Sequence, residues 1–267
     1  MISIVLPTYN RSRELLNTLK SFYNLLDREN LCGQIIVVNN NSTDNTEDVI
    51  LQFQKEVDAK VVYVKEERQG KSHALTTGIN LASGDVLAFT DDDCQVAEDW
   101  LVSIHEVMKD QTIDAIAGKV ICVLDEEVPD WLDIDKLKGP LAHYDKGENY
   151  IESTKEKRIL PTGANVVLRK RAIKEYGGFQ YHGRAEDTEL GYRWNQKGAK
   201  IVYAPNVVVR HYNNASRFTK DYFRKWYFLG GKNTSIILKE EFLTGRVFLG
   251  VPFWVYREIL SNSLKFF

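Results

Sequence analysis

The sequence predicts an α/β fold: a mostly parallel sheet flanked by helices, with a helical tail behind it. Three observations carry this prediction. Short β-rich apolar runs alternate with helix-period patterns in the first part of the chain. One of those runs ends abruptly in Asp91-Asp92-Asp93. From about residue 216 onward the pattern turns helical and aromatic-rich.

Taken in order, residues 2–6 form the first strand, and Leu15, Leu16, Leu19, Phe22, Tyr23 and Leu26 then recur at helical spacing. Residues 35–38 read as a strand buried on both faces. Ser42 and Thr43 are candidate N-caps for a helix with an apolar stripe of Val49, Ile50, Phe53 and Val57. A strand at 61–64, a helix at about 72–82 and a strand at 85–89 follow. Beyond them come a long strand candidate at 113–123, an irregular stretch at 125–157, a helix near 186–196, and strands near 201–203 and 207–209. Long irregular stretches are often functional loops. The expected division is a catalytic domain at 1–215 and a helical, aromatic-rich tail at 216–267.

With 267 residues, 43% of them hydrophobic and 27% charged, the chain can bury one large core. Its net charge of -2 supplies no field to gather DNA or RNA, so nucleic acid is excluded as an expected partner. Cys32, Cys94 and Cys122 are spaced neither for a disulfide framework nor for zinc, which suits a reducing, cytoplasmic setting. No secretion signal is read at the start. The segment 247–256, with Phe248, Phe253, Trp254 and Tyr256 between Arg246 and Arg257, falls well short of the ~20 residues that span a bilayer. It suits either peripheral contact with the inner face of a membrane or packing on its own domain.

Asp91, Asp92 and Asp93 are the sharpest chemical feature. Three adjacent carboxylates at a strand end repel one another unless a cation or water compensates them. Hard oxygen ligands suit Mn²⁺ or Mg²⁺, and the other reading is a solvated acidic turn. Gly70-Lys71-Ser72 fails as a phosphate loop because position 65 is Lys65 rather than glycine, which leaves Lys71 near a donor phosphate or merely solvated. Glu186 and Asp187 precede a helical pattern, where carboxylates serve as caps or, for Asp187, as a general base. His211 follows a strand whose end points the same way, and is either structural or a further metal ligand.

These motifs occur in an order that resembles glycosyltransferase family 2, the inverting enzymes of the GT-A fold, over roughly residues 2–212. The resemblance rests on Ile4-Val5-Leu6-Pro7-Thr8-Tyr9-Asn10-Arg11, on Val37-Val38-Asn39-Asn40-Asn41-Ser42-Thr43-Asp44, and on Gly70-Lys71-Ser72-His73-Ala74-Leu75. It continues through Gly84-Asp85, the Asp91 to Asp93 run in the place of a DxD motif, Gly163-Ala164-Asn165, Gly177-Gly178-Phe179, and Glu186-Asp187-Thr188-Glu189.

The resemblance implies that Pro7, Thr8, Tyr9 and Arg11, with Asn39 and Asn41, bind the nucleotide of a nucleotide-sugar donor, aided by Lys71, Asp91 and Asp92. It implies a metal on Asp91, Asp93 and His211, an acceptor and sugar pocket at Gly163, Asn165 and Glu186, and Asp187 as the catalytic base. The acceptor would be a carbohydrate or a lipid-linked glycan, in polysaccharide, glycolipid or glycan synthesis. Asn39 stands where the family commonly has Asp, so the expected UDP preference does not transfer simply: an amide both donates and accepts. The alternatives are a nucleotidyltransferase of the same fold and an inactive sugar-nucleotide-binding protein.

Overall fold

The computed structural model describes residues 1–26, 31–57, 60–124, 127–133, 137–180, 185–237, 247–248, 251–252 and 256. Four parallel strands form its first half: β1 (Ile2–Thr8), β2 (Cys32–Asn39), β3 (Val61–Lys65) and β4 (Val86–Phe89), in the order β3-β2-β1-β4. The helices α1 (Ser12–Leu26), α2 (Thr46–Glu56) and α3 (Lys71–Leu81) connect them. A parallel ladder cannot close with a hairpin, so each crossover brings the chain back to start the next strand at the same edge. The strand ends at Thr8, Asn39, Lys65 and Phe89 therefore gather on one rim.

The second half is mixed rather than parallel. Beyond β4 the order is β8-β6-β9-β5, with β5 (Cys94–Val96), β6 (Ala115–Leu124), β8 (Val166–Arg169) and β9 (Ile201–Asn213). Here β8 runs antiparallel to β4 and β6, and β5 antiparallel to β9, whereas β6 and β9 are parallel. A short strand, β7 (Ile151–Glu152), pairs with the start of β9. The two strands read separately at 201–203 and 207–209 are one interrupted strand: Gly118 of β6 faces Ala204, but Lys119 faces Val208. Residues 205–207 are thus extra to the ladder, a bulge in β9.

Two apolar layers cover the sheet. On one face Leu15, Leu19 and Phe22 of α1, Ile50 and Phe53 of α2, and Trp100 and Ile104 of α4 (Trp100–Met108) pack on Ile4 and Leu6. On the other, Ala74 and Leu75 of α3, Ile173 of α5 (Lys170–Tyr176), and Leu190 and Trp194 of α6 (Glu186–Gln196) pack on Val5, Ile36 and Val38. This is the period-two alternation of strands buried on both sides, each large apolar side chain contributing roughly 1.5–3 kcal/mol. Leu16 is exposed, one position off the α1 stripe.

The predicted cap at Ser42 or Thr43 lies further in: Asp44 accepts the Thr46 N–H at 3.1 Å and the Thr46 hydroxyl, and α2 starts there. A third, smaller cluster joins Leu132, Leu137 and Leu141 of the irregular stretch to Phe218 and to Phe223 of α7 (Lys220–Ile237). No helix among the described residues is long and apolar enough to cross a membrane. Half of the segment 247–256, with Phe253 and Trp254, lies outside the described residues, as do Leu26's side chain, Arg246, Arg257 and the 125–126 and 134–136 parts of the irregular stretch.

Candidate active site

The rim collects the acidic run and loops from four other places in the chain. Pro7 and Thr8 are buried at the end of β1, while Tyr9 stands 46% exposed just beyond it. The neighbouring loops are stitched through side chains. Asn10, in the left-handed region at φ 50°, accepts the Thr43 N–H at 2.7 Å, and its own N–H donates to Ser42 Oγ at 2.9 Å. Asn39 is buried: its Oδ1 accepts the Ser42 N–H at 2.9 Å and its Nδ2 lies 3.5 Å from the Tyr63 hydroxyl. Asn41 is exposed and left-handed at φ 62°.

Asn40, between them, does what neither neighbour does. Its Nδ2 donates to the Glu66 and Arg68 carbonyls at 3.1 and 2.7 Å, and its Oδ1 accepts the Gly70 N–H at 2.8 Å. It pins the loop that delivers Lys71. Sequence reasoning passed over Asn40 because three consecutive asparagines give no sign of which one turns inward.

Each carboxylate of the acidic run has its own compensation. Asp91 pairs with Lys71 at 2.5 Å. Asp92 is buried, accepts the Thr8 hydroxyl at 2.8 Å and pairs with Arg11 at 2.9 Å. Its burial, and Asp93 beside it, push its pKa up despite Arg11. Asp93 meets Arg11 at 2.6 Å, Arg217 at 2.6 Å and His211 Nε2 at 3.2 Å. Burial alone would raise the Asp93 pKa, but His211, Arg11 and Arg217 hold it below the usual carboxylate range. Burial also lowers the His211 pKa against the pull of Asp93.

The fit of this pocket to a metal ion can be judged from its own atoms. Ligating atoms of Asp93, Cys94 and His211 lie within 4.8 Å of one another, and all three residues are buried. His211 Nδ1 has no hydrogen-bond partner, an orphan that buried polar atoms rarely are. Burial drives the Cys94 thiol well above its ordinary pKa and keeps it protonated, so Asp93 and His211 are the fitting pair. A carboxylate with an imidazole suits Mn²⁺ better than Mg²⁺, which favours oxygen alone. Asp91 stands outside this group, on the Lys71 side.

Lys71 links the acidic run to the second acidic pair. Its Nζ lies 2.5 Å from Asp91 and 3.5 Å from Glu186 Oε1, with about a third of the side chain exposed. Burial disfavours its charge, but Asp91 and Glu186 more than offset this and raise its pKa. Burial also raises the Glu186 carboxyl, with Lys71 opposing. Asp187 is held by the main chain: Oδ2 accepts the Gly163 N–H and Oδ1 the Thr188 N–H, both at 2.7 Å. Both carboxylates occupy the first turn of α6, where the helix dipole favours negative charge. A Cβ at position 163 would lie 2.9 Å from Lys71 Nζ and 3.5 Å from Asp187, so glycine is what lets the backbone approach this closely.

Asn165 does not face the pocket. It is fully buried, donates to the Lys119 and Val207 carbonyls at 2.9 and 2.8 Å, and accepts the Trp100 indole N–H at 3.1 Å. Val207 is the last residue of the bulge and Lys119 the residue of β6 at which pairing resumes, so the amide clasps the interruption that sets the register of His211. Gly118 leaves room for it, since a Cβ there would meet the amide at 2.2 Å. Its placement was hidden in sequence because a buried clasp and a pocket-lining amide share one residue type.

In open α/β sheets ligands bind beyond the carboxyl ends of the strands, which is where this rim sets its acidic run opposite a second carboxylate pair. The family model for glycosyl transferase family 2 matches residues 3–177, more than half of the chain, and the chain belongs to that family. It is 23% identical to glycosyltransferase AglE of Haloferax volcanii, over 95% of this chain and 79% of that protein. It is 34% identical to a poly-beta-1,6-N-acetyl-D-glucosamine synthase of Staphylococcus epidermidis, over 78% of this chain and 48% of the synthase. The chain thus spans about half the length of the synthase, and likewise about half of the probable glycosyltransferase YdaM of Bacillus subtilis, to which it is 30% identical. The fold matches the mannosyltransferase PcManGT from Pyrobaculum calidifontis, solved in complex with GDP-Man and Mn²⁺, with TM-score 0.65 and 21% identity over 92% of this chain and 65% of that one.

Proposed function

We propose that this glycosyltransferase moves a sugar from a nucleoside-diphosphate donor to an acceptor hydroxyl with inversion, its catalytic part being residues 1–215 with Arg217 added from the start of the tail. The observation that supports this reading best is the Lys71 bridge: one ammonium spans Asp91 on the donor side and Glu186, next to Asp187, on the acceptor side. In this reading the exposed Tyr9 ring and the Asn39 amide receive the base. With Asn39 Oδ1 taken by Ser42, the free side of Nδ2 suits a base carbonyl, as uracil offers, and UDP is the first nucleotide to test.

Asp187 takes the proton of the acceptor hydroxyl as that oxygen attacks the anomeric carbon. The bond to the diphosphate breaks on the opposite face. Asp187 Oδ1 accepts both the Thr188 N–H and, at 3.3 Å, the Thr188 hydroxyl, whereas Oδ2 keeps a lone pair beyond the one it gives to the Gly163 N–H, and these bonds fix the direction of the free one. Asp93 and His211 would hold a divalent cation, Mn²⁺ ahead of Mg²⁺, which supplies Lewis-acid stabilisation of the leaving diphosphate when bound. The names of relatives such as the poly-beta-1,6-N-acetyl-D-glucosamine synthase and the succinoglycan biosynthesis protein ExoM support a glycan acceptor, free or lipid-linked.

Calorimetric titration with UDP, GDP and dTDP, each with and without Mn²⁺, tests the donor half of this reading. Binding of one nucleotide that depends on Mn²⁺ is expected. No binding under either condition would sink the catalytic reading and favour a protein that kept the fold without the activity.

A further inference from the structure

The surroundings of Asp93 hold more positive charge than a metal site calls for. Both arginines converge on a single oxygen, Oδ2, at 2.6 Å each, while Oδ1 faces His211. Asp92 and Asp93 on one side and Arg11 and Arg217 on the other add up to no net charge. A divalent cation entering alone would therefore meet two guanidinium groups already in its place. An anion that draws an arginine away removes that conflict.

The two arginines are not equally committed. Arg11 is tied to Asp92 as well as to Asp93. Apart from Asp93, the partners of Arg217 are the neutral Asn213 Oδ1 at 2.9 Å and His211 Nε2 at 3.3 Å. Arg217 also closes the short 3₁₀ turn Ala215–Arg217 rather than sitting inside a long element. Next to it, between α1 and this turn, a cavity of about 660 Å³ opens, whose charged lining is Arg11, Arg13 and Arg217 against Glu14 and Asp93. Guanidinium groups match phosphate oxygens in geometry as well as charge.

We infer that Arg217 is a place-holding cation that leaves Asp93 for the donor's diphosphate, so that metal and nucleoside diphosphate bind together and Arg217 is a diphosphate-binding residue. The inference rests on the donor reading proposed above. It makes the cluster of Asp92, Asp93, Arg11 and Arg217 self-neutralised and disfavours metal without nucleotide.

The test measures Mn²⁺ binding to the full chain by electron paramagnetic resonance, alone and with UDP or GDP, in the original protein, Arg217→Ala and Arg217→Lys. The original protein should bind Mn²⁺ at least about ten-fold more tightly with the matching nucleotide than without it. Arg217→Ala should tighten Mn²⁺ alone by roughly three-fold or more, yet weaken Mn²⁺-supported nucleotide binding by about ten-fold, with Arg217→Lys in between. These opposite signs are what a purely structural arginine would not produce. If Arg217→Ala weakens both, or changes neither, while the original protein still binds nucleotide with Mn²⁺, the exchange is wrong and the donor reading stands. If the original protein binds neither nucleotide with Mn²⁺, the donor reading falls and the exchange falls with it.

Discussion

The two acidic segments of the site are neutralised by different means. Asp91, Asp92 and Asp93 are met by the ends of long side chains: Lys71, Arg11 and Arg217. Asp187 is met by the main-chain N–H groups of Gly163 and Thr188. A side chain can turn away when a ligand arrives, whereas a backbone N–H moves only with its element. The difference separates a region built to exchange partners from one built to stay still, and it matches the proposed roles: a charged donor must enter the first, and a proton acceptor must be aimed in the second.

The largest expected effect breaks the fixed side. Asp187→Asn keeps an acceptor oxygen for the Gly163 N–H but removes the base, so transfer should fall by about 10² to 10⁴ while nucleotide affinity stays the same. Turnover at the original rate in a coupled assay would exclude Asp187 as the base.

A second variant asks whether the frame behind His211 is equally rigid. Asn165→Ala leaves the Lys119 and Val207 carbonyls and the Trp100 N–H without partners, each loss costing about 1–3 kcal/mol. Thermal unfolding should shift downward by several degrees, and Mn²⁺ affinity should drop in the protein that remains folded. An unchanged melting temperature would show that the clasp is dispensable.

The smallest effect concerns the loop that carries Lys71. Hydrogen bonds from Arg68 and Thr77 hold the Glu66 carboxyl at about 2, below its ordinary value of 4.5. A depressed carboxylate adds stability that is fully present above about pH 4.5 and is lost as pH falls toward 2. Glu66→Gln should therefore flatten the decline of stability across that window while lowering stability slightly at pH 7. Identical acid-unfolding curves for the two proteins would remove Glu66 from this role.

Much of this architecture was legible in the chain. The parallel half follows from alternating periods, and its topology sends the ends of β1, β2, β3 and β4 to one rim, the same rim on which the family resemblance groups Pro7, Asn39 and Asp91. The mixed half was harder. The strand at 94–96 and the helices at 100–108 and 170–176 are short, and their apolar patterns fit more than one period.

Arg217 left no trace as a site residue, because 124 positions separate it from Asp93 and nothing local marks the approach. Lys71 was recognised as a residue near charge, but its reach to Glu186 depends on α3 and α6 lying on the same face of the sheet. The direction of a side chain at the end of a long loop is a tertiary fact that spacing does not encode.

The bulge at 205–207 turns segment length into chemistry. Because those three residues have no partners on β6, His211 lies level with Cys122 on one side and Cys94 on the other. Without them the downstream strand would sit roughly 10 Å out of step, at about 3.3 Å per residue. Side chains alternate faces along a strand, so a slip of one place would present Arg210 or Tyr212 to Asp93 and turn the imidazole to the far side of the sheet. An insertion or deletion at this point would thus rewrite the surroundings of Asp93 while leaving every one of the residues there in the sequence.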